Sequence, residues 1–328
     1  MNVRASLAFV TKNLSIALPL AMIAGFAFGN WMEVGGLKSA VLPLNFALVY
    51  PMMVGIEIKK LFNKGNAKLQ FAALFLNFAV FPFIAFGLGR IVFPGAPYLQ
   101  LGLLMAALLP TSGMTVTWTG LSKGNVPEAV RMTIVGLLVG SAATPLYVSF
   151  LLGASIDLPI AAIAGQILVI VVLPLVAGRL TGGLLTKKLG KEGFDRSVKP
   201  LLPGISSIGV ILLVFVAIAL KARTILSNPA LILTTLWPVM VLYAINFMIS
   251  TLAGRFFFAS ADAKALVYGT VMRNLSIALA IVMSLLGPKG GEAALVLTWA
   301  YVVQVQSAAW YVRISPRFFR DPATLPPV

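Results

Sequence analysis

The sequence predicts an all-α integral membrane protein of ten transmembrane helices, built as two inverted five-helix repeats with interruptions in helices four and nine. Three observations lead there. Ten apolar segments, each long enough to cross a bilayer, take up most of the 328 residues. Lysine and arginine collect on one side of the path those segments trace. The fourth and ninth segments carry polar and helix-breaking residues near mid-depth. Ten spans divide into five plus five, and an odd number per half forces the second half to enter the membrane upside down. Inverted halves interrupted at matching places mark a secondary transporter with its site between the halves.

Composition supports the membrane reading. Hydrophobic residues make up 59% of the chain and charged residues 10%, whereas soluble domains carry about 25% charged residues. Mean hydropathy is +0.98. The net charge of +16 sits in short loops, with no continuous basic face and no interleaved aromatic platform, which argues against nucleic acid as a partner. Cysteine and histidine are both absent. That excludes disulfides, thiolate metal sites, Cys nucleophiles and His-based triads, and no cofactor is expected. Nine acidic residues remain, so ordinary acid–base catalysis is poorly supplied and the chain is not read as an enzyme.

A helix crossing the hydrocarbon layer needs about 20 mostly apolar residues. The segments run 14–31, 38–58, 69–93, 97–122, 128–153, 158–182, 200–220, 229–253, 263–286 and 291–312. Prolines 51, 82, 110, 145, 174 and 238 fall inside them and are tolerated where neighbours satisfy the freed backbone groups. Leu14–Gly29 is long for the core of a signal peptide and many spans follow, so it reads as the first membrane helix. The longest polar connection, 184–200, is expected to be a linker. The repeats are placed at 1–156 and 157–328.

Orientation follows from the basic residues. Nineteen Lys and Arg lie on the side of the N-terminus and five (Lys38, Arg90, Lys221, Arg223, Lys289) on the other, with Arg273 inside the ninth segment. Both termini are therefore expected in the cytoplasm, in an inner (cell) membrane. The string Asn-Leu-Ser-Ile-Ala-Leu occurs at Asn13 and again at Asn274. These places are not equivalent under a five-plus-five repeat, so the match reads as coincidence.

Two stretches stand out as functional. Segment four contains Pro110-Thr111-Ser112-Gly113-Met114-Thr115, where Pro110 lacks an amide donor and Gly113 relaxes the backbone. A half-helix restarting there would be capped by Thr111 or Ser112 and would present free N–H groups to an anion. The alternative is that these hydroxyls bond back to their own helix. Segment nine contains Arg273-Asn274, nine residues beyond Lys264 and so roughly 13 Å into the membrane at about 1.5 Å per residue. Arginine at a helix centre costs about 2.5–3.5 kcal/mol even on the lenient insertion scale. A water-filled cavity, backbone carbonyls or an anionic ligand must offset that, unless Arg273 is locked permanently to carbonyls or a carboxylate. Glu57 reads as an interfacial ion-pair partner. Asn45, Asn77, Gln166, Asn246, Gln304 and Gln306 read as interhelical hydrogen-bonding groups, with Gln304 and Gln306 nearest a pathway.

These residues resemble a known family. Val49-Tyr50-Pro51-Met52-Met53, Pro110 to Met114 with Trp118, Leu121-Ser122-Lys123-Gly124-Asn125, Arg273-Asn274 and Trp310-Tyr311-Val312-Arg313 are similar to the arsenite-efflux permeases of the bile acid/sodium symporter superfamily. The resemblance covers nearly the whole chain. It implies ten helices, a panel domain beside a core domain, and broken helices four and nine crossing around the substrate. The candidate substrate-binding residues are then Thr111, Ser112, Gly113, Thr115, Arg273, Asn274 and Gln304.

The departures from that family matter. Arsenite permeases carry a Cys just after the proline of helix four, where this chain has Thr111, and an acid near the position of Gln304. Trivalent arsenic is thiophilic, so this chain would handle the oxygen-coordinated form, through hydroxyls and dipoles. The sodium-coupled branch uses a Ser/Thr-Asn pair in helix four and a Glu plus Gln in helix nine. Thr115, Val116, Gly269 and Arg273 occupy the corresponding positions here. Sodium about 5 Å from a guanidinium would cost roughly 3 kcal/mol at an effective dielectric near 20. Arg273 then serves as a built-in cation where relatives bind sodium, and coupling to protons or to the membrane potential alone is expected in preference to sodium. Arsenite or a related small oxyanion is the leading substrate, followed by a small organic anion. A passive channel is the alternative from another class.

Overall fold

In the computed structural model the described residues are 3–55, 65–110, 113–153, 168–227, 229–286 and 290–319, with 156, 161, 164 and 165 besides. They are nearly all helical, as composition requires of a multi-pass membrane protein, and five helices are long and apolar enough to cross a bilayer: Ala67–Val92, Val126–Leu152, Leu202–Leu220, Ala230–Phe257 and Gly290–Phe318. Shorter apolar helices accompany them, two of which, Pro97–Leu108 and Leu275–Leu286, are halves of the segments expected to break.

The helices fall into two bundles. The first contains α1 (Val3–Lys12), α2 (Leu14–Trp31) and α3 (Leu37–Val54). The second begins with α4 (Ala67–Phe75), a π turn at Leu76–Val80, and α5 (Phe81–Val92). It continues with α6 (Pro97–Leu108), α7 (Gly113–Leu121) and α8 (Val126–Leu152). The chain then returns to the first bundle with a π turn at Leu168–Val172, α9 (Leu173–Ser197) and α10 (Leu202–Ser227). It finishes in the second with α11 (Ala230–Phe257), α12 (Ser260–Val271), α13 (Leu275–Leu286) and α14 (Gly290–Phe318). Within the first bundle α10 packs on α2 and α3, and α9 on α3. Across the seam α13 meets α3, and α14 meets α2 and α10.

Close backbone approach through small residues holds the first bundle. Lipid tails are as apolar as leucine, so helix pairs in a bilayer gain chiefly from van der Waals contact between backbones. Gly25 and Gly29 of α2 lie against α10. A Cβ at Gly25 would stand 2.5 Å from the Phe215 carbonyl oxygen, and one at Gly29 would stand 2.2 Å from that of Ala219. Gly178 and Gly182 of α9 meet Met53 and Val54 of α3 in the same way. Gly29→Leu is therefore expected to force α2 off α10 and lower the thermal midpoint of the purified protein by several degrees. Ala24→Leu, on an exposed position of the same helix, should leave it unchanged; scanning fluorimetry compares the two.

The structure adds detail to three expectations. The polar stretch 184–200, expected as a linker, is helical as far as Ser197 except at Gly190, whose φ of +72° breaks it into two helical pieces. Leu, Lys and Glu on either side of the break are good helix formers, so helix resumes beyond the apolar run. Segment nine begins three residues earlier than expected, and Lys264 is buried on α12, although its charge suggests an interfacial position. Both copies of Asn-Leu-Ser-Ile-Ala-Leu start a helix: Asn13 is the N-cap residue of α2, and the Asn274 side chain accepts from the Ile277 amide at 3.3 Å. Glu57 and Gln166 lie outside the described residues.

A polar clamp fixes the end of α12 remote from its break. Asn66 and Asn125 cap α4 and α8, accepting from the amides of Leu69 and Glu128. Each also donates to Asp262 in the first turn of α12, at 2.8 and 2.6 Å. Glu128 accepts from Gln70 and pairs with Arg131 at 2.7 Å. Three helix N-termini thus converge on carboxylates, which suits their dipoles and sets the height at which α12 delivers Arg273.

Candidate functional site

Segment four breaks between Leu108 and Gly113, and segment nine between Val271 and Leu275. At the breaks the two chains run antiparallel. Pro110 and Arg273 form a β-bridge, and the Asn274 amide donates to the Leu109 carbonyl at 2.7 Å. Each extended stretch thus satisfies backbone groups that a broken helix leaves orphaned, as a non-aqueous interior demands.

Arg273 is 1% exposed. Gln304 of α14 holds its backbone on both sides: the Arg273 amide donates to Oε1 at 2.6 Å, and Nε2 donates to the Arg273 carbonyl at 3.2 Å. The Tyr243 hydroxyl of α11 donates to the same Oε1 at 2.9 Å, so both ends of the Gln304 amide are engaged. The guanidinium Nη1 donates to Asn77 Oδ1 at 2.9 Å, while Asn77 Nδ2 donates to the Gly269 carbonyl at 3.0 Å. The ring of Phe81 lies 5.3 Å from the guanidinium carbon, within cation–π range. Nε and Nη2 are buried and have no hydrogen-bond partner among the described residues.

The π turn at Leu76–Val80 presents Asn77. One extra residue per turn rotates the following helix, and such bulges favour functional positions. Pro82 follows at the start of α5 and offers no amide to the Phe78 carbonyl four residues back. The Tyr147 hydroxyl of α8 takes that carbonyl instead. The device costs no unsatisfied group and points an asparagine at the guanidinium.

The sequence-derived site is partly assembled here. Arg273, Asn274 and Gln304 come together with Pro110. Gly113 opens α7, and Thr115 is buried on that helix. Thr111 and Ser112 lie outside the described residues. Asn77, Phe81 and Tyr243 are additions. Asn77 left a signal, as the one strongly polar side chain between Gln70 and Arg90; a tyrosine or phenylalanine in an apolar helix leaves none.

Comparisons with known proteins point to a family of membrane transporters. The family model described as Sodium Bile acid symporter family matches residues 42–228. The Arsenical-resistance protein Acr3 of Corynebacterium glutamicum is 22% identical over 350 residues, covering 98% of this chain and 94% of its own. A protein of the same name from Alkaliphilus metalliredigens is 24% identical over 257 residues, 71% of each chain. The Uncharacterized transporter slr0944 of Synechocystis is 23% identical across 95% of this chain and 90% of its own.

Proposed function

The chain belongs to the sodium bile acid symporter family, and on that premise we propose that this membrane transporter is a secondary-active carrier working by alternating access. It moves arsenite or a related small oxyanion across the inner membrane at the junction of Pro110 and Arg273. The observation that carries this reading is the buried guanidinium, with two nitrogens that have no hydrogen-bond partner among the described residues, at the meeting point of two interrupted helices. We also assign Thr111, Ser112, Gly113 and Thr115 to the substrate, while Asn274 and Gln304 hold the stretch that bears Arg273.

Two inverted five-helix repeats, with both termini cytoplasmic, give this carrier its two faces. The pairing of glycine motifs supports that arrangement: the first apolar segment packs Gly25 and Gly29 on the seventh, and the sixth packs Gly178 and Gly182 on the second. Exchange of halves maps one pairing onto the other. A small organic anion is the second substrate reading, favoured by the buried Nε and Nη2 of Arg273, which have no hydrogen-bond partner among the described residues.

Uptake into proteoliposomes tests the proposal, using arsenite, antimonite and organic anions with and without sodium or proton gradients. Transport is expected to be saturable and indifferent to sodium, because the guanidinium already places a positive charge at the crossing. Sodium-stimulated uptake that is unchanged in Arg273→Gln would overturn the built-in cation, and flux far above carrier speeds would favour a channel.

A further inference from the structure

We propose that Lys187 and Lys188 of α9 form a docking site for the phosphate of an anionic phospholipid. The site belongs to the outer surface of the first bundle and does not depend on the carrier reading. Its geometry starts from the face of α9 that packs. Gly178 and Gly182 lie so close to α3 that a Cβ at either would stand 2.7 Å from backbone atoms of Met53 or Val54. With 3.6 residues per turn, the opposite face of the helix carries Leu173, Val176, Leu180 and Leu184. These four are between 53% and 68% exposed. On the outside of a membrane protein such a row meets acyl chains, which are as apolar as leucine itself.

Lys187 and Lys188 continue that row. They follow Leu184 by three and four residues, on the next turn and the same face, about 4.5–6 Å further along the axis. Both are exposed, and neither has a carboxylate partner among the described residues. The acids of this stretch come after the break at Gly190: Glu192 is exposed, and Asp195 pairs with Lys199 at 3.0 Å. A face that turns from apolar to cationic within one turn fits a lipid. The acyl chains lie along the leucines and the phosphate meets the ammonium groups. A free phosphate ion or an acidic protein would use the lysines alone and leave the leucine row without a role.

The platform is built before the lipid arrives. Beyond the break Phe194 is buried against Val54 and Leu202, and before it the Tyr50 and Thr181 hydroxyls meet at 2.7 Å. The helix is thus fastened to its neighbours on both sides of Gly190, and binding orders little more than two lysine side chains.

The test titrates the detergent-purified full-length protein with dioleoylphosphatidylglycerol or dioleoylphosphatidylcholine and measures retained lipid by native mass spectrometry. Wild type should hold the anionic lipid in preference to the zwitterionic one. Each lysine near a charged headgroup is worth about fivefold in affinity, so Lys187→Gln with Lys188→Gln should weaken phosphatidylglycerol about twenty-five-fold. The corresponding pair of Lys→Arg changes should retain it, and Lys199→Gln, whose charge Asp195 already holds, should leave it unchanged. Salt at about 0.5 M should weaken binding to wild type and close the gap to the double Gln variant. Equal affinity for phosphatidylglycerol in wild type and the double Gln variant overturns the site. Equal retention of both lipids by wild type overturns it too, as does full displacement of the lipid by inorganic phosphate, which would make the lysines a site for a free ion.

Discussion

Replacing Gln304 with leucine is expected to abolish uptake and to lower the melting midpoint of the purified protein by roughly 5–10 °C. Three groups depend on that one amide: the Arg273 N–H, the Arg273 carbonyl and the Tyr243 hydroxyl. Leucine matches the volume and leaves all three buried without a partner. At about 1 kcal/mol each, the low end for an orphaned group, the loss is roughly 3 kcal/mol. Concentrated on the extended stretch at Arg273, that is enough to populate other arrangements of the break by about a hundredfold. Gln306 is two residues away and only partly buried; Gln306→Leu should cost under about 0.5 kcal/mol and leave transport near wild type. Scanning fluorimetry and initial uptake rates on the two variants check this. Equal behaviour would show that Gln304 is one polar contact among many and not the support of the site.

The pattern of what was legible in the sequence has a physical basis. Both breaks were readable because they depend on local chemistry, a proline without an amide and an arginine too deep to reach water easily. The partners of Arg273 were not. Asn77 belongs to a helix nearly two hundred residues away in sequence, and a π turn looks the same as an α-helix in a pattern of apolar residues. Tyr243 was invisible because a tyrosine declares its hydroxyl's use only when its neighbours are known. The glycines of α2 and α9 were present at four-residue spacing, but such spacing acquires meaning only against a partner backbone. The stretch 184–200, expected as a linker, is helical on either side of a break at Gly190. Polarity there marks departure from the hydrocarbon layer, and a glycine at positive φ marks the joint between two helical pieces.

Asn77→Asp is expected to separate transport from stability. An aspartate at this position accepts from Nη1 as the asparagine does, and it also brings a full negative charge to the guanidinium. At about 4 Å and an effective dielectric near 20 that attraction is worth roughly 4 kcal/mol. The change forfeits the bond from Asn77 Nδ2 to the Gly269 carbonyl, about 1 kcal/mol, and buries a carboxylate at a cost of several kcal/mol, so gain and costs roughly cancel. The melting midpoint should hold. Uptake should nonetheless fall by more than about fiftyfold, because an anionic substrate now meets a neutral ion pair instead of a cation. Asn77→Leu gives the contrast, since it orphans Nη1 and lowers the midpoint as well. Wild-type uptake in Asn77→Asp would mean that the charge of Arg273 is structural, a lock between two broken helices with no part in selecting what passes them. Loss of uptake in a protein about as stable as wild type assigns that charge to the substrate.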